Sequence, residues 1–281
     1  MTRHYLHLLR PTQWLKNLML FFPPFLGGVL LHDGLALKGV IPVVSFCLAS
    51  SAAYIFNDIQ DASKDALHPR KKKRPIPAGM ISKTAAAFLA SFLFVVAILL
   101  GTSVSQGFIT LLLLYLVVTV SYSLKLKNFP IVDLFCISAG FLIRLHAGGV
   151  VFGVAISEWL FLSVFLLSLF LSTGKRLCEK NAMGEYAGDH RKSLLLYPDG
   201  FLDGVMYLTG AAVLVTYAMY AVQRPALVYT VPLCTFGLLR YILRVKSGRG
   251  GDPTESLLKD GPLFIVGLLW AILVGYSIYA R

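Results

Sequence analysis

The chain has 281 residues, of which 57% are hydrophobic and only 14% are charged, with a formal net charge of +12. A soluble domain carries about 25% charged residues, because its surface must be polar. This composition excludes an ordinary soluble enzyme and indicates that lipid covers most of the surface. Excess Lys and Arg in a membrane protein collects in cytoplasmic loops, which favours that explanation of the charge over nucleic-acid binding.

Nine stretches approach the roughly 20 mostly apolar residues that a membrane-spanning helix needs. In chain order they cover residues 14–32, 38–57, 84–102, 106–124, 131–150, 157–174, 203–222, 225–244 and 261–280. The sequence therefore predicts an all-α, polytopic membrane protein with nine transmembrane helices, forming a single domain over residues 1–281.

The distribution of Lys and Arg predicts the orientation of these spans. With nine spans, the N-terminus shares one side of the membrane with the loops after spans 2, 4, 6 and 8. With the adjoining helix ends, that side holds every Lys and Arg except Lys38, Arg224 and Arg281. The positive-inside rule then places the N-terminus in the cytoplasm. We expect a multi-pass protein of the inner (plasma) membrane with its active site on the cytoplasmic face.

Four polar residues mark the cytoplasmic end of the second span. Asn57, Asp61 and Asp65 repeat at i, i+4 and i+8, so a helix aligns them on one face, and Asp58 joins the same side. Like charges at this spacing repel unless a cation joins them. Oxygen ligands beside a membrane favour Mg²⁺, which shares its shell with water and substrate phosphate. The alternative is a solvated, acidic helix end.

The following stretch, residues 68–75, is strongly basic. Acids that hold a metal beside bases that hold phosphate oxygens form a diphosphate site, and Arg70 and Arg74 are the candidates for substrate contact. Topology and anionic lipid contact explain Lys71, Lys72 and Lys73.

Further candidates for substrate binding lie at or near the same membrane level. Lys16 opens the first span, and Arg144 lies well inside the fifth, where an arginine needs a partner or a water-filled cavity. For Arg144, a structural pair with a carboxylate and ligand binding both stay open. The remaining candidates are Tyr122, Lys125, Lys175, Arg176 and Arg191.

Several motifs together resemble the UbiA superfamily of intramembrane transferases, and within it the decaprenyl-phosphate phosphoribosyltransferase branch. They are residues 10–17, the NxxxDxxxD motif of Asn57, Asp61 and Asp65, and residues 68–75, 122–125, 174–179 and 191–194. Prenyl-transferring members carry a second DxxxD motif after span 6, where this chain has Lys175 and Arg176. That departure favours one metal-held diphosphate and one phosphate held by cations.

The resemblance implies transfer of 5-phosphoribose from phosphoribosyl diphosphate to a polyprenyl phosphate, in a step towards cell-wall arabinose donors. Asn57, Asp61 and Asp65, with Asp58, would hold Mg²⁺; Lys16, Arg70 and Arg74 would hold the diphosphate. The acceptor phosphate would contact Lys125, Lys175, Arg176 and Arg191.

Two other functions stay open: transfer of a polyprenyl group to an aromatic acceptor, and non-enzymatic transport.

Small residues such as Gly148 and Gly149 can pack helices within one chain or between the subunits of a homo-oligomer.

Overall fold

A computed structural model describes residues 2–32, 34–67, 71–183, 192–224 and 226–280. Every regular element in these ranges is a helix. The α-helices are α1 Thr2–Leu9, α2 Phe22–Leu26, α3 Leu35–Lys38, α4 Val40–Gln60, α5 Ala62–Leu67, α6 Lys83–Thr102, α7 Gln106–Leu124, α8 Val132–Phe152, α9 Glu158–Met183, α10 Lys192–Leu195, α11 Phe201–Val222, α12 Val231–Lys246, α13 Pro253–Lys259 and α14 Gly261–Tyr279. The 3₁₀ helices are Pro11–Phe21, Lys71–Lys73, Leu126–Asn128 and Leu227–Thr230.

Within the described ranges, eight segments are long and apolar enough to cross a membrane. They correspond to the second to ninth predicted spans, and the all-α class is confirmed. The sixth span was predicted to end at residue 174, but α9 continues to Met183. Hydropathy marks where the apolar surface ends. The helix continues beyond that point because its charged side chains form ion pairs, such as the one between Arg176 and Glu179 one turn later.

The first predicted span, 14–32, is not a regular α-helix. It consists of the 3₁₀ helix Pro11–Phe21 followed by the five-residue α2, and turns occupy the residues after it. A 3₁₀ run of this length is uncommon. Pro23 and Pro24 lack the amide donors of a continuing helix, and Gly28 has a positive φ of 76°. The prediction of nine regular transmembrane helices is therefore not confirmed.

The 3₁₀ helix Pro11–Phe21 and the residue before it nevertheless run along the whole of α4, antiparallel to it. The contacts that show this are Arg10 with Asp58, Trp14 with Ser51, Asn17 with Cys47 and Ser50, and Phe21 with Gly39. Small side chains on α4 allow this close approach.

Glycines on α8 bring the same 3₁₀ helix against a second neighbour. A Cβ at Gly148 would collide with the Leu20 backbone, reaching its carbonyl carbon at 2.8 Å and its Cα at 2.9 Å. Gly149 in turn faces Val154 and Ile156 of the same chain. The small pair that the sequence left open as an intra-chain or inter-subunit contact therefore packs within the chain.

We predict that Gly148→Ala destabilises the protein by about 1–3 kcal/mol, because the added methyl group overpacks a backbone contact. Gly237→Ala is the matched control, since a Cβ there meets nothing within 4 Å. Thermal unfolding in detergent should show a lowered Tm for the first variant only. An unchanged Tm for Gly148→Ala would contradict the packing described here.

Candidate active site

The acidic residues lie where α4 ends and α5 begins. α4 ends at Gln60, and Asp61 caps it. The Asp61 amide donates to Asn57 O at 2.9 Å and the Asp65 amide to Asp61 O at 2.8 Å, so the helical repeat continues through the junction. The backbone thus retains the predicted alignment of Asn57, Asp61 and Asp65.

Lys127 joins two of these residues. Its Nζ donates to Asp61 Oδ1 at 2.6 Å, to Asp61 Oδ2 at 2.7 Å and to Asn57 Oδ1 at 3.2 Å. The sequence pointed to Lys125 instead, whose side chain is exposed and makes no hydrogen bond or ion pair within the described part of the chain. The two lysines flank Leu126 in a single turn, so they point in different directions. The two-residue spacing of Lys125 and Lys127 is the signal that could have identified Lys127, because only one of these two side chains can face the helix bundle.

Two arginines hold the other two carboxylates. Arg74 Nη1 lies 2.6 Å from Asp65 Oδ2 and 3.0 Å from Asp58 Oδ1, as expected for a member of the site. Arg10, which the sequence analysis did not select, donates from Nη2 to the same Asp58 oxygen at 2.5 Å. Its backbone has a φ of 53°, a strained conformation for a residue before proline.

These contacts divide the acidic cluster into two pairs. Lys127 bridges Asn57 and Asp61, while Arg74 bridges Asp58 and Asp65. No group of three or more acidic, His or Cys side chains has metal-site geometry in the described ranges. The predicted four-residue ligand set is therefore not pre-assembled.

The cluster nevertheless fits a divalent cation. Three side-chain oxygens of Asn57 and Asp61 already contact the Lys127 ammonium group. Oxygen atoms are the ligands that Mg²⁺ prefers. Asp65 Oδ1 is buried without a hydrogen-bond partner among the described residues. Burial raises the pKa of Asp65, and the positive charges of Arg74 and Lys71 oppose that shift. A metal at this oxygen would supply the missing partner.

Arg176 occupies a buried network beside the cluster. Its guanidinium donates to Asp133 Oδ2 at 2.8 Å, Glu179 Oε2 at 2.5 Å and the Tyr122 hydroxyl at 2.8 Å. Only 2% of the Arg176 side chain is exposed. In this arrangement the network joins α7, α8 and α9, and the predicted substrate contacts of Arg176 and Tyr122 stay predictions.

The same network reaches the turn that carries Lys127. Tyr197 donates to Asp133 Oδ1 at 2.7 Å and accepts from the Ile131 amide at 2.7 Å. Ser193 donates to the Lys127 carbonyl at 2.9 Å. The segment around α10 thereby fixes the turn from which Lys127 reaches Asp61.

Arg144 lies deep in the bundle and is satisfied by neutral groups. It donates to Asn17 Oδ1 at 2.7 Å, Gly140 O at 2.8 Å and the Tyr115 hydroxyl at 3.0 Å. The guanidinium also lies 4.4 Å from the centre of the Tyr115 ring. No carboxylate pairs with Arg144 in the described part of the chain, so the carboxylate-pair alternative is wrong.

Lys16 and Lys175 form a second basic group around Asp252. Lys175 Nζ lies 3.0 Å from Asp252 Oδ2. Lys16 lies on the 3₁₀ helix Pro11–Phe21, which packs against α13, the helix that Asp252 caps. Of the other predicted substrate contacts, Arg70 and Arg191 lie outside the described residues.

The fold and the site define a multi-pass, all-helical membrane protein with acidic and basic side chains gathered at the ends of its helices. The chain belongs to the UbiA prenyltransferase family, whose sequence pattern matches residues 21–278. It is 33% identical to the decaprenyl-phosphate phosphoribosyltransferase of Mycolicibacterium smegmatis, over 96% of this chain and 91% of that protein. The protein of the same name from Corynebacterium glutamicum is 30% identical, over 96% of this chain and 85% of the relative.

Solved structures share the fold. A UbiA homolog from Archaeoglobus fulgidus bound to GPP and Mg²⁺ has a TM-score of 0.75 and 19% identity, with 99% of this chain and all of that chain covered. Another structure of the homolog contains Cd²⁺ (TM-score 0.71, covering 98% of this chain and 99% of that chain). This fold therefore accommodates divalent cations.

We predict that Lys127→Met tightens the binding of a divalent cation by about fivefold, because the ammonium competes for the oxygens of Asn57 and Asp61. Mn²⁺ titration followed by electron paramagnetic resonance would measure the change. Lys246→Met is the matched control, because Lys246 pairs with Asp203 away from this cluster. Equal Mn²⁺ affinity in the Lys127→Met and unmodified proteins would contradict the proposed overlap of lysine and metal.

Proposed function

We propose that this chain transfers 5-phosphoribose from phosphoribosyl diphosphate to a polyprenyl phosphate and releases diphosphate. The observation that carries the proposal is the asymmetry of charge between two neighbouring groups. Asp58, Asp61 and Asp65 are balanced by Arg10, Arg74 and Lys127. Around Lys175, by contrast, Asp252 is the paired carboxylate, and Arg144 is held by neutral groups. The names of the two bacterial relatives support the same reaction.

The proposed topology has nine crossings with the N-terminus in the cytoplasm. Eleven 3₁₀ residues at about 2.0 Å and the five residues of α2 at about 1.5 Å extend about 30 Å, the thickness of the hydrocarbon core. The contacts from Arg10 to Phe21 along α4 support a full crossing. The acidic cluster then faces the cytoplasm from the inner (plasma) membrane, and residues 1–281 form one transferase domain.

The acidic cluster receives the donor. Asn57, Asp61 and Asp65 are placed to hold Mg²⁺, with Asp58 fixing the two arginines. When bound, Mg²⁺ supplies positive charge to the diphosphate. Arg10, Arg74 and Lys127 lie beside the same carboxylates and supply fixed positive charge where the leaving diphosphate becomes more negative. Arg70 stays a predicted contact to the same group.

The basic group around Lys175 receives the acceptor. A phosphate monoester is anionic near pH 7, so its oxygen attacks C1 of the ribose without a general base. One C–O bond forms to the acceptor phosphate while the C–O bond to diphosphate breaks. Lys175 holds the acceptor phosphate. Lys16, predicted from the sequence to contact the donor diphosphate, is assigned to the acceptor instead, because its 3₁₀ helix packs against the helix that Asp252 caps. Lys125, Arg176 and Arg191 stay predicted contacts to the same phosphate, and the polyprenyl tail lies in lipid. The lipid-linked phosphoribose fits a role in supplying arabinose for cell-wall polysaccharide.

We predict that Asp61→Asn lowers kcat/KM by about 10² or more, because it removes a carboxylate that binds metal and orients Lys127. Transfer of label from phosphoribosyl diphosphate to a polyprenyl phosphate, at several Mg²⁺ concentrations, measures the loss. Asp203→Asn, an equal change of charge at an ion pair outside the site, should retain activity. Near-normal transfer by Asp61→Asn would reject the metal assignment.

We predict that the purified protein uses labelled phosphoribosyl diphosphate as the donor and does not use a labelled prenyl diphosphate with an aromatic acceptor. The physical reason is that Lys175 and Arg176 stand where a second acidic pair would hold a second metal. Product identification by mass spectrometry decides between the two reactions. Prenylation of the aromatic acceptor would replace the proposed reaction with the alternative one.

A further inference from the structure

The loop between α12 and α13 delivers a carboxylate to the second basic group. Asp252 Oδ2 contacts Lys175 Nζ at 3.0 Å, and its Oδ1 accepts from the Glu255 amide at 3.2 Å, which caps α13. No part of the reaction described above uses this aspartate. The side chain is 18% exposed, so its charge acts in a partly desolvated environment.

The loop is fixed in place by backbone packing. A Cβ at Gly251 would approach Gly174 O at 2.6 Å and Lys175 Cα at 2.8 Å, so only glycine allows this contact. The Tyr241 hydroxyl lies 2.7 Å from Gly251 O and 2.9 Å from Leu171 O, joining the loop to α9. Asp252 is therefore held at a defined position beside Lys175.

The charges around Asp252 do not balance. Lys175 and Arg144 alone carry two positive charges against the one negative charge of Asp252, and Lys16 lies on the 3₁₀ helix that packs against α13, the helix that Asp252 caps. Burial of Asp252 favours its protonation, but Lys175 and Lys16 outweigh that effect and lower its pKa, so the carboxylate is ionised at neutral pH. The group retains a positive surplus, which suits a doubly charged phosphate monoester.

We propose that Asp252 determines specificity as the resident counter-ion of a phosphate-binding site formed by Lys16 and Lys175. A fixed negative charge beside the site weakens the binding of every anion. Free phosphate, which has only its charge to contribute, is then held poorly. A lipid-linked phosphate also gains from burying its tail and occupies the site despite Asp252. The identity of the lipid-linked ligand rests on the proposed function; the anion site itself does not.

The first experiment measures binding to the full-length protein in detergent. Asp252→Asn keeps the helix cap and removes the charge. It should tighten the binding of inorganic phosphate and of farnesyl phosphate, each measured by calorimetry, by about three- to fivefold. Asp203→Asn removes the same charge from a distant ion pair and should change neither affinity. Asp252→Ser, which also caps a helix, tests whether a result is specific to asparagine.

The second experiment tests whether the effect acts through Lys175. In a Lys175→Met background, Asp252→Asn should tighten phosphate binding less than in the unmodified protein, because competition for the Lys175 ammonium is then absent and only repulsion between Asp252 and the phosphate remains. Unchanged or weaker binding in Asp252→Asn, or an equal gain in Asp203→Asn or in the Lys175→Met background, overturns the inference. Farnesyl phosphate that binds no tighter than inorganic phosphate overturns the assigned selectivity for a lipid-linked ligand.

The binding measurements also separate this inference from the proposed reaction. If Asp252→Asn tightens phosphate binding while the unmodified protein transfers no phosphoribose, the reaction is wrong and the anion site stands. If transfer proceeds normally and Asp252→Asn leaves phosphate binding unchanged, the reaction stands and the role of Asp252 is wrong.

Discussion

The structure depends on the pairing of buried charges at the edge of a low-dielectric bundle. Asp58 and Asp65 are 2% and 1% exposed, and a carboxylate at that depth is costly unless a cation accompanies it. The cations come from three separate parts of the chain: Arg10 precedes the 3₁₀ helix Pro11–Phe21, Arg74 follows α5, and Lys127 follows α7. The acidic cluster therefore joins three segments that are distant in sequence, and the site forms only when the bundle does.

Two buried arginines show that a buried charge can be compensated either by carboxylates or by neutral polar groups. Arg176 is neutralised by Asp133 and Glu179, and its network positions the turn that carries Lys127. Arg144 instead relies on an amide, a carbonyl and a tyrosine. The first arrangement leaves no positive charge for a ligand. The second retains a positive field inside the bundle, and Lys16 extends that field towards the membrane surface.

The sequence predicted the features that depend on local spacing. The repeat of Asn57, Asp61 and Asp65 is present, and Arg74 lies among them because the loop that carries it is short. Lys127 and Arg10 were missed because their partners lie 66 and 48 residues away, and no local pattern records such a pairing. The positions of Lys175 and Arg176 beside a membrane span could not show that the Arg176 side chain is buried while Lys175 forms an ion pair with Asp252. The 3₁₀ geometry of Pro11–Phe21 depends on close packing with α4 and α8, which hydropathy does not describe.

The pairing also explains why one lysine can serve binding and chemistry. The three oxygens that contact Lys127 belong to groups that favour a metal, and in the proposed reaction a diphosphate would offer the ammonium new oxygens at the same place. Exchange of one set of anionic partners for another keeps the buried ammonium paired throughout, so its desolvation is never uncompensated. On the acceptor side, Asp252 provides the corresponding resident partner for Lys175. Both halves of the site thus hold their cations in place with carboxylates that a phosphate ligand can replace or outweigh, and each carboxylate limits how tightly that ligand binds.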